Sequence, residues 1–151
     1  MQAIILAAGM GKRLKQLTQN NTKCMVKVNG VPLINRTLSQ LEQHDLSRIV
    51  IVTGYEGQKL REHIESLHIK TPVVFIDNPV YDRTNNIYSL FLAKDYLIKE
   101  DTLLLESDII FEDSVLNSLT DDPRDSLALA AKYKSWMDGT CLVLSDQDDI
   151  T

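Results

Sequence analysis

A cluster of glycines and basic residues near the start of the chain has the composition of a phosphate-binding loop. The segment Gly9-Met10-Gly11-Lys12-Arg13 follows the apolar run Ala3–Ala8, and Lys23 lies further along. Glycines let backbone N–H groups approach phosphate oxygens closely, arginine adds a planar donor fork, and lysine adds a point charge. The pattern therefore predicts phosphate binding. A plain glycine-rich turn with solvated basic residues would show the same pattern.

The loop differs from the two common glycine-rich nucleotide motifs. A Walker loop requires a glycine at the position of Leu6 and a serine or threonine at the position of Arg13. The dinucleotide fingerprint requires a further glycine at the position of Leu14. If the loop binds phosphate, it does so in neither of these two ways.

A carboxylate, Asp108, follows the apolar run Leu103–Leu105 and is a candidate magnesium ligand. One or two acidic side chains together with substrate phosphates are sufficient to bind Mg²⁺. The same spacing also fits an exposed acid that opens the next turn. Glu106 lies on the same side of the strand, where it could support a metal or pair with a lysine.

These residues follow apolar segments that are typical of a parallel sheet covered by helices. The predicted strands are Ala3–Ala8, Ile49–Val52, Val73–Ile76 and Leu103–Leu105. The predicted helices are one that Pro32 opens, one between Glu56 and His68, and one from Ile87 to Ile98. Alternation of strands and helices predicts an α/β fold, and ligands of such sheets bind beyond the carboxyl ends of the strands.

The last part of the chain has a looser pattern. We expect a short helix near Ser114–Leu119, a turn at Asp121-Asp122-Pro123, and strands at Ser126–Lys132 and Cys141–Leu144. The length of 151 residues fits one domain, 1–151. Because the chain ends at Thr151 just after a predicted strand, we expect it to be the N-terminal portion of a larger domain.

Composition and charge limit the kinds of partner that the protein is expected to bind. The formal net charge is −5 and no long Lys/Arg block is present, which argues against nucleic acid. Cys24 and Cys141 are far apart and are expected to be reduced thiols of a cytoplasmic protein. The N-terminus lacks the pattern of a secretory signal or a membrane span, so a membrane partner is not expected.

Several of these segments closely resemble the signature of the nucleotidyltransferase superfamily, whose members include NDP-sugar pyrophosphorylase-like enzymes. The resemblance rests on Ala3–Leu14, Leu17-Thr18, Lys23 and Gly30–Ile34. The segment from Asn78 through Thr84–Leu90, followed by Glu106-Ser107-Asp108, is similar to the branch of 2-aminoethylphosphonate and phosphocholine cytidylyltransferases. The resemblance covers essentially the whole chain.

The resemblance implies a Rossmann-like, mostly parallel sheet with helices on both faces, and a role for each matching residue. Catalytic roles would fall to Arg13 and Lys23, and Asp108 would bind Mg²⁺. The implied nucleotide-binding residues are Leu6, Ala7, Ala8, Gly9, Met10, Gly11, Lys12, Thr84, Asn85, Asn86 and Ser89. Among these, the segment 84–86 and Ser89 would help to read cytosine.

The implied reaction transfers CMP from CTP to 2-aminoethylphosphonate or phosphocholine and releases pyrophosphate. The superfamily usually has proline at the positions of Gln16 and Thr22, and its second metal-ligating acid is expected beyond residue 151. Two alternatives stay open: a sugar-1-phosphate nucleotidyltransferase, and a nucleotide-binding regulatory module without catalysis. A homodimer or a fused domain is also compatible with the sequence.

Overall fold

The computed structural model describes residues 1–137, 141–147 and 150. The chain divides into two compact units, Met1–Phe111 and Glu112–Thr151. The expectation of a larger domain rests on the end of the chain, and residues 149 and 151 there lie outside the described residues. The first unit contains all the regular strands of the described chain.

The strands form one larger and one smaller sheet. They are β1 (Gln2–Ala7), β2 (Lys27–Val28), β3 (Val31–Pro32), β4 (Ile49–Thr53), β5 (Val73–Asp77) and β6 (Thr102–Glu106). The larger sheet has the order β5-β4-β1-β6, and all of its pairings are parallel. Every residue of β1 and β4 is buried, which explains their continuous apolar sequences.

Helices cover both faces of this sheet. They are α1 (Leu33–Leu41), α2 (Gly57–Ser66), α3 (Asn86–Leu92) and α4 (Lys94–Leu97). Ala93, between α3 and α4, packs with Leu6 and Val52 on one face. On the other face, the start of α2 lies against Thr53. The predicted α/β fold is confirmed.

The strand order places β1 at a change of direction in the topology. The chain passes from β1 to β4 and β5 on one side, and then returns to pair β6 with the other edge of β1. In open α/β sheets such a switch point opens a crevice at the carboxyl ends of the strands. The fold therefore directs a ligand to the ends of β1 and β6.

A short hairpin was not predicted, although the sequence contains its signal. Strands β2 and β3 pair antiparallel across Asn29 and Gly30. The φ angles of these two residues are 51° and 79°, as a type I′ turn requires. An Asn-Gly pair is the usual sequence for that turn, so this hairpin could have been found.

Two other predictions need correction. The helix predicted from Ile87 to Ile98 is broken at Ala93, whose side chain is fully buried against the sheet and whose φ and ψ are −90° and 7°. The strands predicted at Ser126–Lys132 and Cys141–Leu144 do not form: the first segment has no strand pairing, and in the second only Leu144 forms an isolated bridge, with Ile150. An apolar run becomes a strand only when a neighbouring strand supplies a ladder of hydrogen bonds.

Among its described residues the second unit contains one α-helix, α5 (Asp113–Thr120), where a short helix was predicted. After it, Arg124 forms an ion pair with Asp122 of 2.7 Å in the predicted turn. No helix in the described part of the chain is long and apolar enough to cross a bilayer.

A buried asparagine, Asn78, holds the segment between β5 and α3. It is 2% exposed, and its Nδ2 donates to Thr84 Oγ1 and to Ser89 Oγ, each at 3.1 Å. Its Oδ1 accepts from the backbone N–H of Val80 at 3.0 Å. One side chain thus fixes both the loop and the first turn of α3.

Replacing Asn78 should destabilise the protein because several buried polar groups lose their partner at once. We expect Asn78→Ala to lower the free energy of unfolding by about 1–3 kcal/mol. The matched control is Asn85→Ala, at an exposed residue whose side chain makes no capping hydrogen bond. The control substitution should change the free energy of unfolding by about 0.5 kcal/mol or less. Urea titrations of both variants measure the difference, and equal effects would contradict this role of Asn78.

Candidate functional site

The candidate site is a cavity where β1 and β6 end side by side. The two strands pair in register from Gln2 with Thr102 to Leu6 with Glu106. The cavity has a volume of about 630 Å³, within the range of roughly 300–1,000 Å³ that is typical of small-molecule sites. Its lining residues are Leu6, Gly9, Gly11, Lys12, Arg13, Leu14, Lys23, Asn86, Glu106, Ser107 and Asp108.

The glycine loop forms one wall of the cavity and is fixed from behind. Gly11 has a φ of +61°, which favours glycine. The buried Thr18 donates a hydrogen bond of 3.0 Å from its Oγ1 to the Gly11 carbonyl. The Leu14 N–H donates to the same carbonyl at 2.8 Å. The loop conformation is therefore set by the protein before any ligand binds.

Lys12 and Arg13 provide positive charge along this wall. Both side chains are exposed. Neither forms an ion pair within the described part of the chain. Their charges are therefore available to an anion, and the predicted grouping of the two with the glycines is what the structure shows.

Lys23 and Asp108, which are far apart in the sequence, form an ion pair across the cavity. The lysine starts the short 3₁₀ helix Lys23–Met25, and the aspartate lies in the turn after β6. Both side chains are less than one third exposed, at 28% and 29%. Each of the two groups can therefore neutralise the other while no ligand is present.

Glu106 is held beside these groups by the end of β6. The Nδ2 of Asn86 donates to its Oε1 at 2.7 Å. Burial raises the pKa of Glu106, and the nearby negative charge of Asp108 raises it further, whereas the Asn86 hydrogen bond and Lys23 lower it. Among the described residues, no lysine forms an ion pair with Glu106, which was one of the two roles considered for it.

Not all predicted ligand-binding residues line the cavity. Those that do are Leu6, Gly9, Gly11, Lys12, Arg13, Lys23, Asn86 and Asp108. Ala7, Ala8, Met10, Thr84, Asn85 and Ser89 are outside the set of lining residues. Thr84 and Ser89 are bonded to Asn78, as described above. The role of each residue in nucleotide binding stays a prediction.

Three lining residues were not given a binding role by the resemblance, namely Leu14, Glu106 and Ser107, although Glu106 was considered as a support for a metal. Leu14 belongs to the opening motif, and the other two stand next to or near Asp108 in the sequence. The sequence could have indicated all three by position, because Leu14 follows the glycine loop, Glu106 ends a strand and Ser107 follows that strand.

Cys24 lies next to Lys23 in the sequence but is unsuited to nucleophilic chemistry. It is fully buried, and its Sγ lies 3.1 Å from Thr22 Oγ1. Burial raises the pKa of its thiol to about 11, so the thiolate is scarce near neutral pH. The hydroxyl of Thr22, at a position where the family usually has proline, forms this contact with the Cys24 sulfur.

Comparison with known proteins relates the chain to nucleotidyl transferases. The model of the nucleotidyl transferase family matches residues 2–149. The choline-phosphate cytidylyltransferase of Haemophilus influenzae is 39% identical over 115 residues, which cover 76% of this chain and 47% of that protein. The 2-aminoethylphosphonate cytidylyltransferase of Lancefieldella rimae is 37% identical over 112 residues, covering 74% and 44%.

A solved structure supports the same relationship. The CTP:phosphocholine cytidylyltransferase of Streptococcus pneumoniae superposes with a TM-score of 0.61 at 36% sequence identity. The match covers 71% of this chain and 44% of that one. The chain thus spans about half the length of the curated relatives it matches.

The two glycines of the loop should respond differently to substitution by alanine. An added Cβ at Gly9 would meet nothing within 4 Å, whereas one at Gly11 would lie 2.8 Å from Thr18 Cγ2 at a positive φ. We expect Gly11→Ala to lower the free energy of unfolding by about 1–3 kcal/mol and Gly9→Ala to leave it nearly unchanged.

Gly9→Ala should instead weaken anion binding, because Gly9 lines the cavity. We expect its Kd for inorganic triphosphate to rise by roughly 10-fold or more. Calorimetric titration measures the affinity and thermal unfolding measures the stability. A Gly9→Ala protein with unchanged affinity would show that the loop backbone does not contact phosphate.

Proposed function

Because the chain belongs to the nucleotidyl transferase family, we propose that it forms the nucleotide-binding part of a cytidylyltransferase. The enzyme transfers CMP from CTP to 2-aminoethylphosphonate or phosphocholine and releases pyrophosphate. The observation that carries this proposal is the cavity between β1 and β6, which combines a glycine loop, basic side chains and the Asp108 carboxylate. The likeness to named cytidylyltransferases supports the choice of CTP and of these acceptors.

The chemistry requires two anions to approach each other. An oxygen of the acceptor phosphate or phosphonate attacks the α-phosphorus of CTP in line, forming the new P–O bond as the bond to pyrophosphate breaks. Positive charge from Arg13 and Lys23 offsets the repulsion and stabilises the charge that develops on the transferring group. The glycine loop holds the triphosphate through its backbone N–H groups.

No general base is needed for this attack, since the acceptor oxygen is already ionised near neutral pH. The lining residues accordingly include no histidine within the described chain. The role of the protein is to position the reactants and balance their charge.

Asp108 is the residue suited to hold Mg²⁺. Its carboxylate oxygens are the hard ligands that this ion prefers, and Ser107 and Glu106 add further oxygen atoms to the same wall. Within residues 1–137, 141–147 and 150, no group of three His, Cys, Asp or Glu side chains could hold a metal by itself. Substrate phosphates would therefore complete the coordination. When bound, the ion would supply further neutralisation of phosphate charge.

The reaction itself can be measured directly with the full-length protein. We expect release of pyrophosphate with CTP, Mg²⁺ and either 2-aminoethylphosphonate or phosphocholine. A competition assay between the two acceptors identifies the preferred one. Absence of turnover with both would refute the proposal, and a preference for UTP or dTTP with a hexose phosphate would assign the protein to the sugar nucleotidyltransferases.

Variants of the basic residues should lose turnover rather than stability. We expect Arg13→Ala and Lys23→Ala to lower kcat/KM by about 100-fold or more, because each removes charge facing the transferring phosphate. The exposed Arg13 should contribute about 0.5 kcal/mol or less to the free energy of unfolding. Lys59→Ala, on the exposed surface of α2, is the matched control and should keep normal turnover. Normal turnover of Arg13→Ala and Lys23→Ala would exclude the proposed roles.

Asp108→Ala should remove the response to Mg²⁺. We expect residual turnover that no longer rises when the ion is titrated from micromolar to millimolar concentration. A retained Mg²⁺ dependence in this variant would place the ion elsewhere.

A further inference from the structure

The hydrogen bond between Asn86 and Glu106 determines what the Asn86 side chain can offer a ligand. Both side chains line the cavity and both are exposed to it. An ionised carboxylate only accepts hydrogen bonds, so the Asn86 carboxamide must turn its Nδ2 toward Glu106 Oε1, 2.7 Å away. A flipped amide would place two oxygen atoms against each other.

This orientation leaves the carbonyl oxygen of Asn86 as the atom presented away from Glu106. None of the hydrogen bonds within the described part of the chain uses Asn86 Oδ1 as an acceptor. The pair therefore presents unused acceptor atoms, namely Asn86 Oδ1 and the remaining lone pairs of the Glu106 carboxylate. Atoms of this kind bind a group that carries N–H or O–H.

The backbone on both sides fixes the pair in place. Asn86 is the first residue of α3, a helix that the buried Ser89 ties to Asn78. Glu106 is the last residue of β6 and pairs with Leu6. The acceptor atoms are therefore preorganised on two rigid elements, which favours selection of a ligand by its hydrogen-bonding pattern.

The charged residues that line the cavity also favour a ligand that carries an amino group. The glycine loop contributes Lys12 and Arg13, whereas Glu106 adds a carboxylate that would repel phosphate. A substrate that carries an amino group in addition to its phosphates would match both parts of the cavity.

We propose that Glu106 is a positioning residue which fixes Asn86 as a hydrogen-bond acceptor, so that the cavity selects a substrate amino group. The inference rests on the proposed function. Two reactants of that reaction carry such a group: CTP has the exocyclic amine of cytosine, and 2-aminoethylphosphonate has a primary ammonium. Both groups donate N–H hydrogen bonds, although only the ammonium is charged, and the experiment separates them.

The test uses two substitutions of Glu106 in the full-length protein. Glu106→Ala frees the Asn86 carboxamide to rotate and present a donor. Glu106→Gln is the matched control, since its side-chain oxygen can still accept from Asn86 Nδ2. Calorimetry gives Kd values for CTP and UTP. Turnover gives kcat/KM for 2-aminoethylphosphonate and for ethylphosphonate, which lacks the amine.

We expect Glu106→Ala to reduce one of these two preferences by about 10-fold, the effect of one hydrogen bond in a partly exposed site. Glu106→Gln should keep most of that preference. A loss in the CTP-to-UTP ratio assigns the pair to cytosine, and a loss in the aminoethyl-to-ethyl ratio assigns it to the acceptor. Asn86→Ala should reproduce the loss, and it serves as the test if Glu106→Ala does not fold.

Unchanged ratios in both Glu106→Ala and Asn86→Ala would overturn the inference while leaving the proposed function intact. A wild-type protein that neither binds CTP nor turns over would instead refute the proposed function, and the inference with it. A uniform fall in kcat/KM for all substrates, with both ratios constant, would show a purely structural role and also overturn the inference.

Discussion

The parallel pairing of β1 with β6 is the constraint on which the candidate site depends. The glycine loop follows β1 and Asp108 follows β6, so this one pairing brings together groups from distant parts of the chain. Burial of every residue of β1 makes the arrangement rigid. The site is polar because it begins where the apolar strands end and the backbone needs new partners.

Opposite charges at this edge of the sheet stabilise each other before a ligand is present. The ion pair of Lys23 and Asp108 lets the protein hold both a cation and an anion near the cavity without leaving either uncompensated. Glu106 is compensated differently, by the amide of Asn86, and its raised pKa reflects burial and the nearby aspartate. A ligand that carries phosphate and a metal ion would replace the contact between Lys23 and Asp108 with its own contacts to the two residues.

The sheet was predictable because its central strands β1 and β4 are buried on both faces and the edge strands β5 and β6 are also apolar, which leaves continuous apolar segments in the sequence. The phosphate loop was predictable for a related reason, since glycines and basic residues follow the first such strand. The contact between Lys23 and Asp108 was not predictable from spacing, because it depends on which strand lies beside β1. The role of the segment around Thr84 and Ser89 in reading cytosine stays a prediction, and both hydroxyls are hydrogen-bonded to Asn78. The apolar runs at 126–132 and 141–144 led to wrong strands because a sequence shows hydrophobicity but not the neighbour that a strand requires.

The register between β1 and β6 also limits which changes in chain length the protein can tolerate. Side chains alternate between the two faces of a strand, so an insertion of one residue within β6 would shift Glu106 and Asp108 together and exchange the faces of the strand residues that follow the insertion. Every residue of the cavity would still be present, yet the carboxylates would no longer lie opposite Leu6 and Lys23. Residues 43–45, between α1 and β4, take part in no strand pairing. Length variation among homologous sequences should therefore be frequent in that segment and rare in β6.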